Sequence, residues 1–263
     1  MSISKSIRIT VITIIAICAL SITNLFAQTQ ASTGETVIKN SADAIKSAVE
    51  SKKYLFAVFY KDAVDEKYKK LESNVLKFKK SSTAEIMIYG ANISDTKESE
   101  VVSKYRLDKG APMPLAMVIA PNGAVLGGIN SDTPESDYSK TIVSSLTMDI
   151  LKTVQDQKIA MVMLQNKQTK FNEESKKAVK ESMADPKIAG FANAIEADPD
   201  KSENQDFLKQ CKIEGKVTEA VVVIVIPPVA IAGVLKGNIT KENIMSSLVS
   251  GCGSGGCGSG GCK

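Results

Sequence analysis

The chain has 263 residues, 43% of them hydrophobic, and a formal net charge of +4 with lysines and acidic residues interspersed along its length. This charge balance gives no indication of nucleic-acid binding. The absence of histidine excludes Ser-His-Asp and Cys-His catalysis and also excludes His-ligated metal sites.

The N-terminal segment has the pattern of a secretory signal peptide. A positively charged start precedes an apolar run over residues 9–20, and small and polar residues follow. The run is short for a transmembrane helix, so we expect a signal peptide over residues 1–27, with cleavage at Ala31 as the latest alternative. The expected location is periplasmic or otherwise extracytoplasmic, without a membrane span after cleavage. Cys18 matches a lipidation site poorly.

The sequence after this segment contains two similar series of predicted elements, each in the order β-α-β-α-β-β-α. In the first series, an amphipathic helix precedes the first strand. The predicted segments are a helix over 41–53, a strand over 54–62, a helix over 66–80, a strand over 84–91, a helix over 98–107, a strand–turn–strand unit over 114–129 and a helix over 136–146.

The second series repeats this order about one hundred residues later. Its predicted segments are a strand over 158–166, a helix over 171–183, a strand over 187–195, a helix over 203–211, a strand–turn–strand unit over 219–235 and a helix over 240–248. Helices separate the earlier strands of each series, which should therefore be parallel, whereas tight turns make the last two antiparallel. We expect two α/β domains, residues 38–153 and 154–250, each with a mixed four-stranded sheet flanked by helices.

Two motifs of the first series resemble the thioredoxin-like superfamily. Residues 41–73 are similar to the opening of exported thioredoxin-like domains, and "APMPLAMVIAPNGAVLGG" (111–128) looks like the segment in which a cis-proline opens a strand before an Asn-Gly hairpin. Pro114 occupies the cis-proline position. The resemblance extends over residues 38–150 and, more weakly, over 155–250, and it implies two tandem thioredoxin-like domains.

The cysteines of the superfamily's CxxC motif are missing from both halves. Their expected positions near Asp65 and Tyr68 hold no thiol, and neither does the corresponding segment over 165–174. Disulfide exchange at the usual site is therefore excluded, and we do not expect an enzyme. The resemblance implies a binding or scaffold protein with a protein or peptide partner at Met113 and Pro114. The alternative is that this proline only shapes the strand entry.

Acidic residues cluster at the start of the first long helix. Asp62, Asp65 and Glu66 occupy positions where carboxylates favour the helix dipole. We interpret them as helix-capping residues rather than as a metal or catalytic site.

The C-terminal residues 251–263 form a Gly/Ser-rich tail with three of the five cysteines, Cys252, Cys257 and Cys262. We expect this tail to be flexible. Its thiolates are suited to Cu(I), or to Zn(II) if a fourth ligand such as Cys211 completes the site. Thiol–disulfide exchange through the tail and incidental cysteines are the alternatives. Cys211 itself is expected either to be a structural thiol or to pair with a tail cysteine.

Overall fold

The structure is a computed structural model that describes residues 38–253. The predicted signal peptide and the tail beyond residue 253 lie outside these described residues. The described chain forms two successive halves, each built around one four-stranded sheet.

The first half begins with a helix that precedes its first strand, as the amphipathic pattern predicts. Its elements are α1 (Ser41–Glu50), β1 (Tyr54–Tyr60), α2 (Glu66–Ser81), β2 (Ile86–Asn92), a 3-10 turn (Thr96–Glu98), α3 (Ser99–Lys104), β3 (Leu115–Ile119), β4 (Val125–Asn130), α4 (Glu135–Tyr138) and a second 3-10 turn (Ser139–Thr141).

The first sheet has the strand order β2-β1-β3-β4. Strand β1 reads YLFAVFY and is buried on both faces, which suits a central position. It pairs in parallel with β2 and antiparallel with β3, and β3 pairs antiparallel with β4. Helices α2 and α4 cover one face, while α1 and α3 cover the other.

The second half repeats this arrangement in the strand order β6-β5-β7-β8. Its elements are α5 (Ser145–Gln155), β5 (Ile159–Leu164), α6 (Asn172–Met183), β6 (Ala192–Ala197), a 3-10 turn (Ser202–Asn204), α7 (Gln205–Gln210), β7 (Val221–Ile226), β8 (Ala230–Lys236) and α8 (Lys241–Gly253). Helices α5 and α7 cover one face of the sheet, and α6 and α8 cover the other.

The two halves also share local backbone irregularities. A register shift interrupts the pairing at Val118/Ile119 in the first half and at Ile224/Val225 in the second. Each half also has a lysine, arginine or glutamine with a positive φ just before its first strand and again after its third helix, namely Lys52, Gln157, Arg106 and Lys212. The predicted tandem thioredoxin-like fold is therefore confirmed by strand order, strand direction and local detail.

Helix α5 contributes to the core of the second half, although the sequence pattern placed the end of the first half at residue 153. Its buried residues Leu146, Ile150 and Val154 pack in one cluster with strands β5 and β7. The helix therefore corresponds to α1, since each precedes the first strand of its sheet. An amphipathic pattern identifies an apolar face but does not indicate which of two neighbouring sheets that face covers.

Several predicted element bounds differ from the structure. The predicted helix over 136–146 is interrupted, because α4 ends at Tyr138, a 3-10 turn follows over Ser139–Thr141 and α5 begins only at Ser145. Strand β6 begins at Ala192 rather than at residue 187, because residues 186–190 form a turn with a positive φ at Gly190. At the C-terminus, α8 continues through Gly251, Cys252 and Gly253, so the first three residues of the predicted flexible tail are helical.

Candidate functional site

Met113 and Pro114 lie immediately before β3, at the end of the first sheet where β1 also ends. We call this end of the sheet, at Met113 and Pro114, the Met113 edge. Phe59, near the end of β1, pairs with Leu115, the first residue of β3. The Met113–Pro114 peptide bond is cis, as the sequence predicts. Pro114 is buried and Met113 is half-buried. The start of α2 lies at the same edge, because only residues 61–65 separate it from β1.

The backbone of Met113 is open to a hydrogen-bonding partner. Within residues 38–253, neither its N–H nor its C=O takes part in a hydrogen bond with another residue. The pairing between β1 and β3 begins one residue after Pro114. Because backbone polar groups at a strand end require a partner, this edge can pair with an extended segment of another chain.

The equivalent edge of the second half is closed by the chain itself. Pairing of Leu164 with Val221 places Glu219 and Ala220 at the positions of Met113 and Pro114. Lys170 forms a parallel bridge with Glu219. Its N–H donates to the Thr218 carbonyl oxygen over 3.0 Å, and its own carbonyl oxygen accepts from the Ala220 N–H over 2.8 Å.

The segment that closes this edge, residues 166–171, is held by polar side chains. The Thr169 hydroxyl donates to Asn172 Oδ1 over 2.6 Å, and Asn172 Nδ2 donates to the Asn166 carbonyl oxygen over 2.7 Å. Buried Ser175 donates to Gln165 Oε1 over 2.8 Å. These residues were not singled out from the sequence. The density of Asn, Gln and Thr between strand and helix was the only available signal, since such side chains often bond to nearby backbone.

The acidic residues before α2 bond to backbone N–H groups. Asp62 Oδ1 accepts from the Val64 N–H over 2.9 Å, and Asp65 Oδ1 accepts from the Lys67 N–H over 2.8 Å. Asp65 is the N-cap residue of α2. The interpretation as a helix-capping residue is therefore confirmed for Asp65, whereas Asp62 bonds within the turn before the helix.

Apolar and aromatic side chains lie at the end of β1 and around the start of α2. Val64 is 70% exposed at the start of α2. The rings of Tyr60 and Tyr68 lie with their centroids 4.2 Å apart. Burial, together with a hydrogen bond from the Tyr68 hydroxyl to Glu72, raises the pKa of Tyr68 above its ordinary value. The Tyr68 hydroxyl therefore remains a neutral donor. Tyr68 is only 8% exposed, and both rings lie beside Gly90 of β2, so the pair packs on the sheet rather than toward Met113.

The cysteine predictions are only partly within the described residues. Cys211 is buried among apolar side chains of the second half, and this burial raises the pKa of its thiol to about 11. Cys257 and Cys262 lie outside the described residues, and for Cys252 the structure describes only its place in α8. Metal binding by the tail and its pairing with Cys211 therefore stay predictions. Between residues 38 and 253, no group of three or more Cys, Asp or Glu side chains is arranged to hold a metal ion.

None of the helices in residues 38–253 combines the length and the apolar character that crossing a bilayer requires.

Comparisons with known proteins return structural similarities without sequence matches. No protein-family model matches the chain, and no curated protein matches it either. One similar structure contains the first two thioredoxin domains of Saccharomyces cerevisiae Eps1p, with 11% identity, a TM-score of 0.31 and coverage of 82% of this chain and 97% of that one. Another is the NTD_N/C domain of alkylhydroperoxide reductase AhpF from Enterococcus faecalis, with 17% identity, a TM-score of 0.26 and coverage of 79% and 98%.

A third similar structure is the zinc-bound form of human ERp44, with 10% identity, a TM-score of 0.32 and coverage of 80% of this chain and 57% of that one. Identities and TM-scores this low assign no activity. The fold assignment rests on strand order and pairing: the described chain consists of two thioredoxin-like folds in tandem, one with an open strand edge before β3 and one in which that edge is closed by the chain itself.

Proposed function

We propose that this protein is a non-enzymatic binding protein whose first half holds an extended peptide segment along the edge at Met113 and Pro114. The observation that carries this proposal is the difference between the halves. In the second half, Lys170 bonds to the Thr218 carbonyl oxygen and the Ala220 N–H on either side of Glu219, whereas no segment of residues 38–253 pairs with the chain at Met113. We further propose, from the N-terminal sequence, that the protein acts outside the cytoplasm.

The internal contact of the second half differs from the contact that a peptide would make in the first. Lys170 donates one backbone hydrogen bond and accepts another, without help from its side chain. Pro114 has no N–H, so the bond that Ala220 donates to Lys170 has no equivalent in the first half. A partner peptide would instead bond to the N–H and C=O of Met113 itself, and such backbone pairing gives affinity with little dependence on sequence. Exposed Val64 lies just before α2, at the same end of the sheet, and would favour apolar side chains in the bound segment.

The proposal assigns different roles to the two halves. The first half provides the open edge, and the second half, with its own edge occupied, serves as a structural partner that presents the first. The chain has no thiol at the start of α2 or α6. Binding would accordingly proceed without covalent capture at either helix start.

Site-specific photo-crosslinking tests this proposal. A benzophenone amino acid replaces Met113 in one variant and Glu219, its structural equivalent, in the matched control. Each variant is irradiated with a reduced, carboxymethylated unfolded polypeptide as the probe. We expect crosslinked product from position 113 and at least about fivefold less from position 219, since Lys170 already occupies that edge.

Equal crosslinking at both positions would contradict the proposal, because it would indicate nonspecific contact. Absence of crosslinking from position 113, in a variant whose circular dichroism and thermal unfolding match those of the parent chain, would also contradict it.

A further inference from the structure

A cleft lies away from the Met113 edge, between the first half and helix α5. Its volume is about 780 Å³, which is within the range of ligand sites in proteins. Helices α1 and α3 and strand β4 of the first half form one side. Helix α5 and the turn between β7 and β8 form the other side.

The lining of this cleft is mainly apolar. Hydrophobic side chains come from five different elements or turns, and the most exposed of them, Val229, leaves 58% of its surface uncovered. The apolar residues that line the cleft include Ile45, Val49, Tyr105, Leu126, Leu151 and Val229. Apolar surface on a concave site favours a ligand that can bury hydrocarbon.

Most polar side chains of the lining already have partners inside the protein. Gln155 donates to the Val125 carbonyl oxygen over 2.7 Å and accepts from the Val125 N–H over 2.9 Å. Asn122 Nδ2 donates to Asp149 over 3.1 Å. Lys152 forms an ion pair with Asp156. These groups have little remaining capacity to bind a second polar ligand, so the body of the occupant should be apolar.

Lys104 is the exception among the polar residues of the cleft. Within residues 38–253 no carboxylate lies within ion-pair distance of its ammonium group, and its Nζ is 5.3 Å from the centroid of the Tyr105 ring. The contact with the ring keeps the charge at the cleft. An anionic group on the ligand would therefore form an ion pair with Lys104.

The cleft walls are connected by direct bonds, so the site exists before a ligand arrives. Gln155 of α5 bonds to the backbone of β4 at Val125. The Tyr54 hydroxyl of β1 donates to the Val143 carbonyl oxygen, just before α5, over 3.0 Å. Preformed walls reduce the entropy cost of binding.

We propose that this cleft binds a long-chain aliphatic carboxylate, with its hydrocarbon chain between α1, β4 and α5 and its carboxylate beside Lys104. The apolar lining selects the chain, and the unpaired ammonium group selects the charge of the head group. The site is separate from the Met113 edge and does not depend on peptide binding there.

Titration calorimetry with dodecanoate tests the proposal on the full chain. We expect one site per chain with a Kd near or below about 100 µM, as the size of the ligand predicts. Dodecyltrimethylammonium, which has the same chain and the opposite charge, should bind at least tenfold more weakly. In amide NMR spectra, dodecanoate should shift signals of Ile45, Val49 and residues 125–127, which line the cleft.

Two pairs of variants locate the site. Lys104→Gln should raise the Kd about three- to fivefold, as expected for an exposed ion pair, whereas Lys109→Gln, an exposed lysine outside the lining, should not. Val229→Asp should raise the Kd more than tenfold, and Val249→Asp, at a position 76% exposed, should leave it unchanged.

Three results would overturn the proposal. One is absence of dodecanoate binding by the folded parent chain. Another is equal affinity for the cationic ligand together with no effect of Lys104→Gln, which would exclude recognition of the carboxylate. The third is dodecanoate binding whose NMR shifts lie away from the cleft, for example only at the Met113 edge. Binding of an apolar peptide without binding of dodecanoate would count equally against the proposal.

Discussion

The sulfur of Cys211 lies in the apolar core of the second half, beside residues of α7 and β7. Burial in this environment disfavours the thiolate and raises the pKa of the thiol to about 11. Because the thiolate is the form that attacks disulfides, this residue is poorly suited to thiol exchange in the folded chain. Its neighbours indicate a packing role.

We predict that Cys211 reacts slowly with a thiol reagent in the folded protein. In a chain whose other four cysteines are serine, the rate with dithionitrobenzoate at pH 8 should be at least about 100-fold lower before unfolding by guanidinium than after it. Complete reaction of the unfolded chain with the reagent measures how much free thiol is present and serves as the control. Rapid reaction in the native state would contradict the burial of this side chain.

The same pKa shift has a consequence for stability. The folded pKa exceeds the value of about 8.5 for an unfolded cysteine, so the contribution of the neutral thiol is complete below pH 8.5. It declines as pH rises from there toward 11. In Cys211→Ala this part of the pH dependence of the free energy of unfolding should be absent.

A second buried residue illustrates a limit of sequence reasoning. Glu98 is 1% exposed, accepts a hydrogen bond from the Ser41 N–H over 2.8 Å and accepts another from the Tyr89 hydroxyl over 2.9 Å. It connects the start of α1 to β2, and burial together with this bond raises the pKa of Tyr89. In the sequence it was one acidic residue in a predicted surface helix, because its partners are remote along the chain.

At the scale of elements, the order and direction of the strands followed from the sequence. Apolar runs such as Tyr54–Tyr60 and Val221–Ile226 are too short for helices and lie between turn residues, and the repeat of the whole series supported each assignment. Element bounds were less accurate. The apolar residues of "KIAGFANAI" led to a predicted strand that starts at residue 187. The structure has a turn there instead, with a positive φ at Gly190, and β6 begins at Ala192.

The sequence motif located the cis-proline of the first half, whereas peptide binding there stays a prediction. Pro114 was identified by a motif, and the structure places it at the expected edge. The closure of the second edge by Lys170 was not predicted, because a single backbone bridge between distant residues leaves no pattern of side chains. The difference between the two halves at Met113 and Glu219 is therefore visible only in the structure.

Helix α5 is attached to β4 through one side chain. The amide of Gln155 donates to and accepts from the backbone of Val125, as the next strand of the sheet would. Strand β4 is an edge strand of the first sheet. This contact therefore satisfies part of an open edge and joins the two halves.

We predict that Gln155→Ala lowers the free energy of unfolding by about 1–2 kcal/mol, because both hydrogen bonds are lost. Gln210→Ala is the matched control, since Gln210 is exposed at the end of α7, and its effect should be within about 0.5 kcal/mol. Chemical denaturation monitored by circular dichroism provides the measurement. Equal effects of the two substitutions would show that the Gln155 contact contributes nothing.

At the scale of the whole molecule, α5 packs on the second sheet and also contacts the first half. Its buried face packs on the second sheet through Leu146, Ile150 and Val154. Met148, Asp149 and Gln155 of the same helix contact the first half. The helix thus completes one core and forms most of the connection to the other, which makes it the element on which the tandem arrangement depends.

We predict that the second half folds alone only if it includes α5. A fragment of residues 144–253 retains the complete apolar cluster and the N-cap Ser144, so it should unfold cooperatively on heating. A fragment of residues 154–253, which follows the bound expected from the sequence, lacks Leu146 and Ile150. Loss of these two buried side chains costs roughly 3–6 kcal/mol, which is comparable to the total stability of many small domains.

Thermal unfolding by circular dichroism and binding of an apolar dye distinguish the two fragments. The longer one should show a sigmoidal transition with little dye binding, whereas the shorter one should bind dye and show no transition, because the α5 face of its sheet is uncovered. A cooperative transition in the shorter fragment would mean that β5 to α8 form a sufficient core. In that case α5 would be a connecting helix, and the sequence-based bound at residue 153 would describe the folding unit better than the packing does.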